Sequence, residues 1–292
     1  MLKVPSFLPR QYPWMQDVIN GLIQFQALRI YRTRLVQHLL ASSVGRWMFE
    51  AAYFRYKEWI EVPGTDVLKP FVVSDAWVID VGANIGFFTE KFARWIGEGG
   101  KVLALEPEVT NFRRLEQRLR QRGLADRIMA TLGAAADCDG RGYLSVNPDH
   151  PGDHALSETR GLPVVTWRID TLLAAAGFPS VGLIKIDVQG AEMKVLAGCA
   201  ATLARCRPAI FIEIDDGALK KFGSSGDEVL SWLEASGYGF SILRRSCLRT
   251  VTRRQIVELV SGKSSTYCDI LAQFQRSRCS PTLPNDTERA QC

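Results

Sequence analysis

The sequence predicts a doubly wound α/β fold, in which helices cover both faces of a mostly parallel β-sheet. From residue 77 onward, short apolar runs alternate with amphipathic segments, and the runs are apolar at successive positions. Strands of this kind are typical of parallel sheets that are buried on both faces. The 292 residues, of which 47% are hydrophobic and 23% charged, provide a core that needs no disulfide or metal ion.

The pattern divides the chain into three parts. Residues 1–60 are predicted as a helical extension, because apolar residues recur at helical spacing between residues 14 and 40. Residues 61–276 are predicted as one α/β domain, with strands at WVIDV, KVLALE, IMATLG, LIKIDV, AIFIEI, FSILR and YCDILAQF. The last two strands are close in sequence, which allows an antiparallel hairpin. Residues 277–292 are polar and contain two prolines, so we predict a disordered tail.

The charge of the chain is unevenly distributed. Residues 1–60 contain eight Lys and Arg against three acidic residues, residues 241–292 contain nine against four, and residues 61–240 contain 19 against 24. The basic flanks allow contact with an anionic membrane surface or a nucleic acid, although a solvated surface is the simpler explanation. Seven cysteines without a C-x-x-C pair are typical of reduced thiols. With no apolar run near the ~20 residues that span a bilayer, we expect a cytoplasmic protein, with its flanks available to bind the inner face of a membrane.

The first motif is the glycine loop VIDVGANIG, which ends a predicted strand and begins a helix. Gly82 permits a tight turn, and Gly86 lets the helix begin close to a ligand and the sheet. A dinucleotide-binding loop has the pattern G-x-G-x-x-G and binds a pyrophosphate, which Asp80 would repel. S-adenosylmethionine carries an ammonium and a sulfonium instead. The loop therefore favours this cofactor over NAD, the cofactor of a rival oxidoreductase hypothesis.

The second predicted strand ends in Glu106, twenty residues after Gly86. A carboxylate at this position can accept hydrogen bonds from both hydroxyls of an adenosine ribose. Alternatively, the charge of Glu106 favours the start of the next helix. The order of Asp80, Gly82, Gly86 and Glu106 favours cofactor binding.

A second acidic motif, LIKIDVQGAE, ends another predicted strand. Lys185 and Asp187 share one face of this strand, where charges are costly unless they are paired or functional. Two interpretations stay open: a structural ion pair, or a role beside the cofactor or acceptor at the carboxyl edge of the sheet. Glu213 reaches the same edge from the following strand. Asp170 is predicted to cap a helix N-terminus.

These segments resemble the FkbM family of methyltransferases in order and spacing. The matching stretches, within residues 77–245, are VIDVGANIGFFT, LALEPEVTNFRRL, IDTLL, LIKIDVQGAEMKVLAG and RPAIFIEID. The resemblance implies a class I methyltransferase sheet of seven strands, with an antiparallel last strand. It also implies S-adenosylmethionine as cofactor, bound by Asp80, Gly82, Asn84, Gly86, Glu106, Asp137 and Asp187.

The resemblance further implies O-methylation of hydroxyls on sugars, glycolipids or polyketide-like products. A hydroxyl acceptor needs a base, for which Asp187 and His154 are the candidates. His154 lies in a loop that could cover the sheet edge, although a solvated histidine is the alternative. We predict that His154, Glu192 and Glu213 contact the acceptor. A divalent ion bound by Asp187 and Glu213 could replace the base, but no third ligand stands out and no metal site is predicted.

We expect the acceptor to be a sugar hydroxyl in a glycan, lipo-oligosaccharide or glycolipid. Polar residues in the loop 147–160 could form hydrogen bonds with a saccharide: Asn147, Asp149, His154, Ser157 and Glu158. The first alternative is a polyketide-type acceptor. The second, a non-catalytic cofactor-binding module, is disfavoured because the acidic cofactor positions are intact. A nucleic-acid acceptor is disfavoured by the negative central region and by the absence of aromatic residues interleaved with the basic ones.

Overall fold

The computed structural model describes residues 42–58, 64–146, 154–157, 159–244, 247–261 and 267–275. The predicted helical spacing between residues 14 and 40 and the predicted tail 277–292 lie outside these ranges. The strands within them are β1 (Trp77–Val81), β2 (Val102–Glu106), β3 (Ile128–Leu132), β4 (Ala134–Ala135), β5 (Gly140–Ser145), β6 (Ala155–Ser157), β7 (Leu162–Trp167), β8 (Val181–Ile186), β9 (Ala209–Asp215), β10 (Tyr238–Arg244), β11 (Cys247–Val251) and β12 (Tyr267–Phe274).

The larger of two sheets has the strand order β11-β10-β12-β9-β8-β1-β2-β3. Strands β3, β2, β1, β8 and β9 pair in parallel, and β12 lies antiparallel between β9 and β10. This arrangement confirms the predicted doubly wound sheet with an antiparallel last strand. The expected number of seven strands is wrong, because β11 adds an eighth at the edge. Its sequence, CLRTV, is mostly exposed and therefore lacks the apolar run from which the other strands were predicted.

The helices in the described ranges are α1 (Ser43–Tyr56), α2 (Phe87–Trp95), α3 (Val109–Gln121), α4 (Ile169–Ala175), α5 (Glu192–Gly198), α6 (Ala200–Cys206), α7 (Asp216–Lys221), α8 (Gly226–Ala235) and α9 (Arg253–Val260). Two 3₁₀ helices, Thr65–Phe71 and Ala125–Arg127, lie between them. None of the helices in this part of the chain is long and apolar enough to cross a membrane.

The strands of the larger sheet bury side chains on both faces, because successive residues of a strand point to opposite sides. One face packs against the aromatic residues of α2, and its buried residues include Val78, Leu183, Phe211 and Leu271. The opposite face packs against α4 to α8, and its buried residues include Ile79, Ile184, Ile212 and Ile270. Burial on both faces explains why these strands are apolar at successive positions.

A second, four-stranded sheet with the order β4-β7-β5-β6 connects β3 to α4. The sequence pattern predicted no strand in this region, between IMATLG and LIKIDV. Each of the strands β5 and β7 has a single buried position, so neither has the apolar run of a buried strand. His154 directly precedes β6, the edge strand of this sheet.

Asp170 caps a helix, but not the helix in which it lies. The N-cap of α4 is Arg168, and Asp170 is in the first turn. Its carboxylate accepts hydrogen bonds from the backbone N–H of Ala201 at 2.9 Å and of Thr202 at 2.9 Å, and from the Thr202 hydroxyl at 2.6 Å. Asp170 thus ties α4 to the first turn of α6. The sequence near Asp170 predicted that this residue caps a helix. It could not show that the capped helix is α6, about 30 residues further along the chain.

We predict that Asp170→Ala lowers the free energy of unfolding by about 2–4 kcal/mol, because it leaves buried donors of α6 without an acceptor. Urea denaturation followed by circular dichroism measures the change. Asp126→Ala, at an exposed position, serves as the matched control and should change stability by less than about 0.5 kcal/mol. A loss of the same size in both variants would contradict the role assigned to Asp170.

Candidate active site

The candidate site lies where the strand order of the larger sheet reverses. From β1 the chain continues to β2 and β3 on one side, and then returns to β8 on the other side of β1. Asp80 in β1 is opposite Lys185 in β8. A crevice at the carboxyl ends of two such strands is the usual ligand site of open α/β sheets.

The glycine loop after β1 passes very close to the end of β8. Gly82 has a φ of +74°, and a Cβ atom at this position would lie 2.0 Å from the carbonyl oxygen of Asp187. Gly86 has a φ of +93° and caps α2, and its Cβ would lie 2.6 Å from Cδ1 of Leu115 in α3. Gly82 is therefore required by the backbone packed against it, and Gly86 by its left-handed backbone conformation. A ligand close to Gly86 stays a prediction.

Glu106, at the end of β2, receives hydrogen bonds from the backbone of two loops. The N–H of Asn84 donates to its Oε2 at 2.7 Å, and the N–H of Glu108 donates to its Oε1 at 3.0 Å. Only 4% of the residue is exposed. Burial raises the pKa of Glu106 to about 7, although the two N–H donors oppose this shift. Each oxygen keeps a further lone pair for another donor.

The buried ammonium group of Lys185 connects the glycine loop with both acids of the strand ends. Its Nζ donates to the carbonyl oxygen of Gly82 at 2.9 Å and of Val81 at 3.3 Å. It lies 3.3 Å from Oδ2 of Asp187 and 3.5 Å from Oδ1 of Asp80. Burial alone would lower the pKa of Lys185, but the two carboxylates outweigh it and the pKa is raised.

The two acids beside this lysine have different surroundings. Asp80 is fully buried, and its Oδ2 accepts a hydrogen bond from the hydroxyl of Thr89 at 2.6 Å. Among the described residues, no group donates a hydrogen bond to its Oδ1, although the Lys185 ammonium lies 3.5 Å away. The side chain of Asp187 is 29% exposed. Burial raises its pKa, but the nearby Lys185 and Lys57 outweigh this effect and the pKa is lowered.

A small pocket opens beside Asp187 on the α2 side of the sheet. It is lined by Lys57, Phe88, Lys185, Ile186, Asp187, Phe211, Glu213, Tyr267 and Asp269. Within it, Nε2 of Gln189 donates to Oε1 of Glu213 at 3.2 Å. Burial and the neighbouring carboxylates of Asp187 and Asp269 raise the pKa of Glu213 well above its usual value.

Three further predicted site residues belong neither to the group around the glycine loop nor to the lining of this pocket. Glu192 is 2% exposed beneath the turn before α5, where its Oε1 accepts a hydrogen bond from the N–H of Gly190 at 3.1 Å. Burial raises the pKa of Glu192 to about 7. Asp137 is exposed between β4 and β5, and His154 precedes β6. None of the three lines the pocket, so their predicted contacts with the acceptor or the cofactor stay predictions.

Three polar residues of the pocket were not predicted from the sequence: Lys57, Tyr267 and Asp269. Lys57 directly follows α1, and the other two begin β12. In register, Tyr267 is opposite Asp215 and Asp269 is opposite Glu213. Tyr267 and Asp269 could therefore be assigned to the pocket only from the antiparallel pairing of β12 with β9. In the described ranges, no group of three or more His, Cys, Asp or Glu side chains converges closely enough to bind a metal ion.

Comparison with known proteins identifies the family. The methyltransferase FkbM domain matches residues 80–240, which include the glycine loop, Glu106, Asp187 and Glu213. The chain belongs to the FkbM methyltransferase family. Residues 80–240 thus form a methyltransferase domain, and the cofactor of this FkbM domain is S-adenosylmethionine, as the glycine loop and Glu106 predicted.

Three relatives illustrate the range of proteins that contain similar sequence. The 31-O-demethyl-FK506 methyltransferase FkbM of Streptomyces tacrolimicus is 30% identical over 201 residues, which are 57% of this chain and 73% of the relative. The 2-O-methyltransferase NoeI of Sinorhizobium fredii is 27% identical over 164 residues, or 50% and 65%. The AMB antimetabolite synthetase AmbE of Pseudomonas aeruginosa is 28% identical over 238 residues, or 68% and 11%. This chain thus spans less than two thirds of NoeI and a small part of AmbE.

Proposed function

We propose that this chain transfers the methyl group of S-adenosylmethionine to a sugar hydroxyl in a glycan, lipo-oligosaccharide or glycolipid. The observation that carries the proposal is the pocket beside Asp187, which adjoins the glycine loop of an FkbM domain. Transfer to oxygen is supported by the names of two relatives, a 2-O-methyltransferase and a 31-O-demethyl-FK506 methyltransferase.

The residues around the glycine loop fit the chemical groups of S-adenosylmethionine. Oδ1 of Asp80 lies 3.5 Å from the Lys185 ammonium and accepts no hydrogen bond from the described residues, so it can accept one from a ligand ammonium group. Glu106 presents two oxygens with remaining lone pairs to the two ribose hydroxyls. We therefore assign Asp80, Gly82, Asn84, Gly86 and Glu106 to cofactor binding, with Asp187 near the methionine end and Asp137 near the adenine. When bound, the cofactor supplies a methyl group on a positively charged sulfur.

The pocket beside Asp187 has the character of a sugar-binding site. Carboxylates and an ammonium group provide hydrogen-bond acceptors and donors at Glu213, Asp269 and Lys57, and aromatic rings provide apolar surface at Phe88, Phe211 and Tyr267. A few polar groups on an apolar wall fix the orientation of a ligand. The chain's own contribution to the rate is then to hold the hydroxyl in line with the methyl group. His154, Glu192 and the loop 147–160 are proposed as further acceptor contacts.

The domain boundaries are proposed in the same way: a helical extension over residues 1–60, the methyltransferase domain over 61–276 and a tail over 277–292. The first basic flank is the helical extension, whereas the basic excess of residues 241–292 lies within residues 241–276 of the methyltransferase domain. A glycolipid or membrane-bound glycan precursor at a cytoplasmic membrane face would bring the enzyme close to anionic lipids. Each well-placed Lys or Arg would then add about 1 kcal/mol of attraction.

The first prediction concerns the pH dependence of cofactor binding. With a pKa of about 7, Glu106 is mostly protonated at pH 6 and mostly ionised at pH 8. The ionised form accepts hydrogen bonds from both ribose hydroxyls, so affinity should increase with pH. We expect S-adenosylhomocysteine to bind about tenfold more tightly at pH 8 than at pH 6, since the ionised fraction of Glu106 rises from roughly one tenth to roughly nine tenths between these pH values. Isothermal titration calorimetry measures this change.

Two variants test the origin of this pH dependence. Glu106→Gln should weaken binding at pH 8 by about 1.5–3 kcal/mol, as expected for hydrogen bonds to a charged group, and should flatten the pH dependence. Glu98→Gln lies in an exposed turn near the amino end of β2 and should behave as the wild type. Wild-type affinity that is constant between pH 6 and pH 8 would contradict the assignment of Glu106 to the ribose.

The second prediction concerns the acceptor. Purified protein incubated with S-adenosylmethionine carrying a deuterated methyl group should label an ether oxygen of a saccharide, because the pocket offers several hydrogen-bonding side chains. The acceptors to be compared are oligosaccharides, lipo-oligosaccharides, glycolipids, macrolide-type alcohols and total RNA. Mass spectrometry with fragmentation identifies the labelled molecule and the labelled atom.

If only a macrolide-type alcohol is labelled, the acceptor is of the polyketide type and not a sugar. Labelled RNA, or a label on nitrogen or carbon, would refute the proposed reaction. S-adenosylhomocysteine binding without transfer to any acceptor would favour a non-catalytic module.

A further inference from the structure

We propose that Glu213 is the general base that takes the proton of the acceptor hydroxyl. This inference rests on the proposed function and deepens it. The sequence predicted Asp187 and His154 as candidate bases, and Glu213 as an acceptor contact or, with Asp187, as a ligand of a divalent ion. Glu213 lines the pocket beside Asp187 and reaches it from the neighbouring strand β9. Glu213 is therefore next to the proposed methionine end of the cofactor. The acceptor hydroxyl has to approach this end, and it loses its proton there.

The surroundings of Asp187 make it a poor base. Its Oδ2 lies 3.3 Å from the ammonium of Lys185, which is itself 3% exposed. If Asp187 accepted a proton, its carboxylate would no longer neutralise the buried positive charge of Lys185. Such an uncompensated buried charge is costly. His154 precedes the edge strand of the smaller sheet and does not line the pocket.

The carboxyl group of Glu213 has the opposite surroundings. Gln189 orients it by donating to Oε1 at 3.2 Å. The charged and titratable groups that act on it are Asp187 after β8, Asp269 in β12, Glu192 in α5 and Lys57 after α1. Burial and three neighbouring carboxylates raise its pKa well above the usual value, against the effect of Lys57. A carboxylate with a raised pKa is a stronger base, and its ionised fraction increases with pH.

The step assigned to Glu213 balances without another reagent. The acceptor O–H bond breaks and its proton moves to the carboxylate of Glu213. The oxygen forms a bond to the methyl carbon of the donor while the carbon–sulfur bond breaks, and its electron pair stays on the sulfur. The products are a methyl ether, S-adenosylhomocysteine and a protonated Glu213, which returns its proton to solvent.

The test compares Glu213→Gln, Glu213→Asp and Glu213→Ala with the wild type and with Glu98→Gln. The glutamine keeps the oxygen that accepts from Gln189 but cannot take a proton. We expect kcat of Glu213→Gln to fall by about 10²–10⁴-fold, the usual contribution of a general base. The affinity for S-adenosylhomocysteine and the melting temperature should stay close to those of the wild type and of Glu98→Gln, which excludes misfolding as the cause.

Two readouts separate a base from a structural residue. Wild-type kcat should increase with pH as Glu213 ionises, and this increase should be absent in Glu213→Gln. Added formate should restore turnover to Glu213→Ala but not to Glu213→Gln, whereas Glu213→Asp should retain part of it. If Glu213→Gln kept near-normal transfer to a sugar and the pH dependence of the wild type, Glu213 would not be the base. The proposed function would still hold. No transfer to any alcohol by the wild type would overturn both.

Discussion

The ammonium group of Lys185 lies at the centre of the larger sheet, with 3% of the residue exposed. Removing such a charge from water costs several kcal/mol unless close partners compensate for it. Here the partners are the carboxylates of Asp80 and Asp187 and the carbonyl oxygens of Val81 and Gly82. The ends of β1 and β8 and the start of the glycine loop are therefore held together by one charge. The remaining residues of the site are arranged around this fixed point.

The same lysine divides the acids at this edge of the sheet into two groups. Asp187, beside Lys185, has a lowered pKa, because the ammonium outweighs the effect of burial. Glu106 and Glu192 are buried and Glu213 is partly buried, and removal from water raises the pKa of each. Groups whose environments separate their pKa values are suited to different roles. An ionised Asp187 suits a positively charged ligand, whereas Glu213 suits proton transfer.

Much of the fold and the identity of the cofactor could be predicted because both depend on local patterns. Apolar runs identified seven strands of the larger sheet, and the loop VIDVGANIG with Glu106 indicated the cofactor. The pocket could not be predicted, since Lys57, Tyr267 and Asp269 come from segments that only the pairing of β12 with β9 and the position of α1 bring together. The donors that Asp170 caps, which lie in α6, could not be predicted for the same reason. Exposed strands such as β11 and β5 lack the burial that produces a recognisable pattern.

The most direct test of this account is the free energy of unfolding of Lys185→Met, measured by urea denaturation. Methionine fills a similar volume but leaves Asp80 and Asp187 without their ammonium partner. We expect a loss of about 3–5 kcal/mol, the usual cost of breaking a buried ion pair on one side. The triple variant Lys185→Met/Asp80→Asn/Asp187→Asn removes the charges together and should recover much of the loss. A stability of Lys185→Met within about 0.5 kcal/mol of the wild type would contradict the central role of this charge.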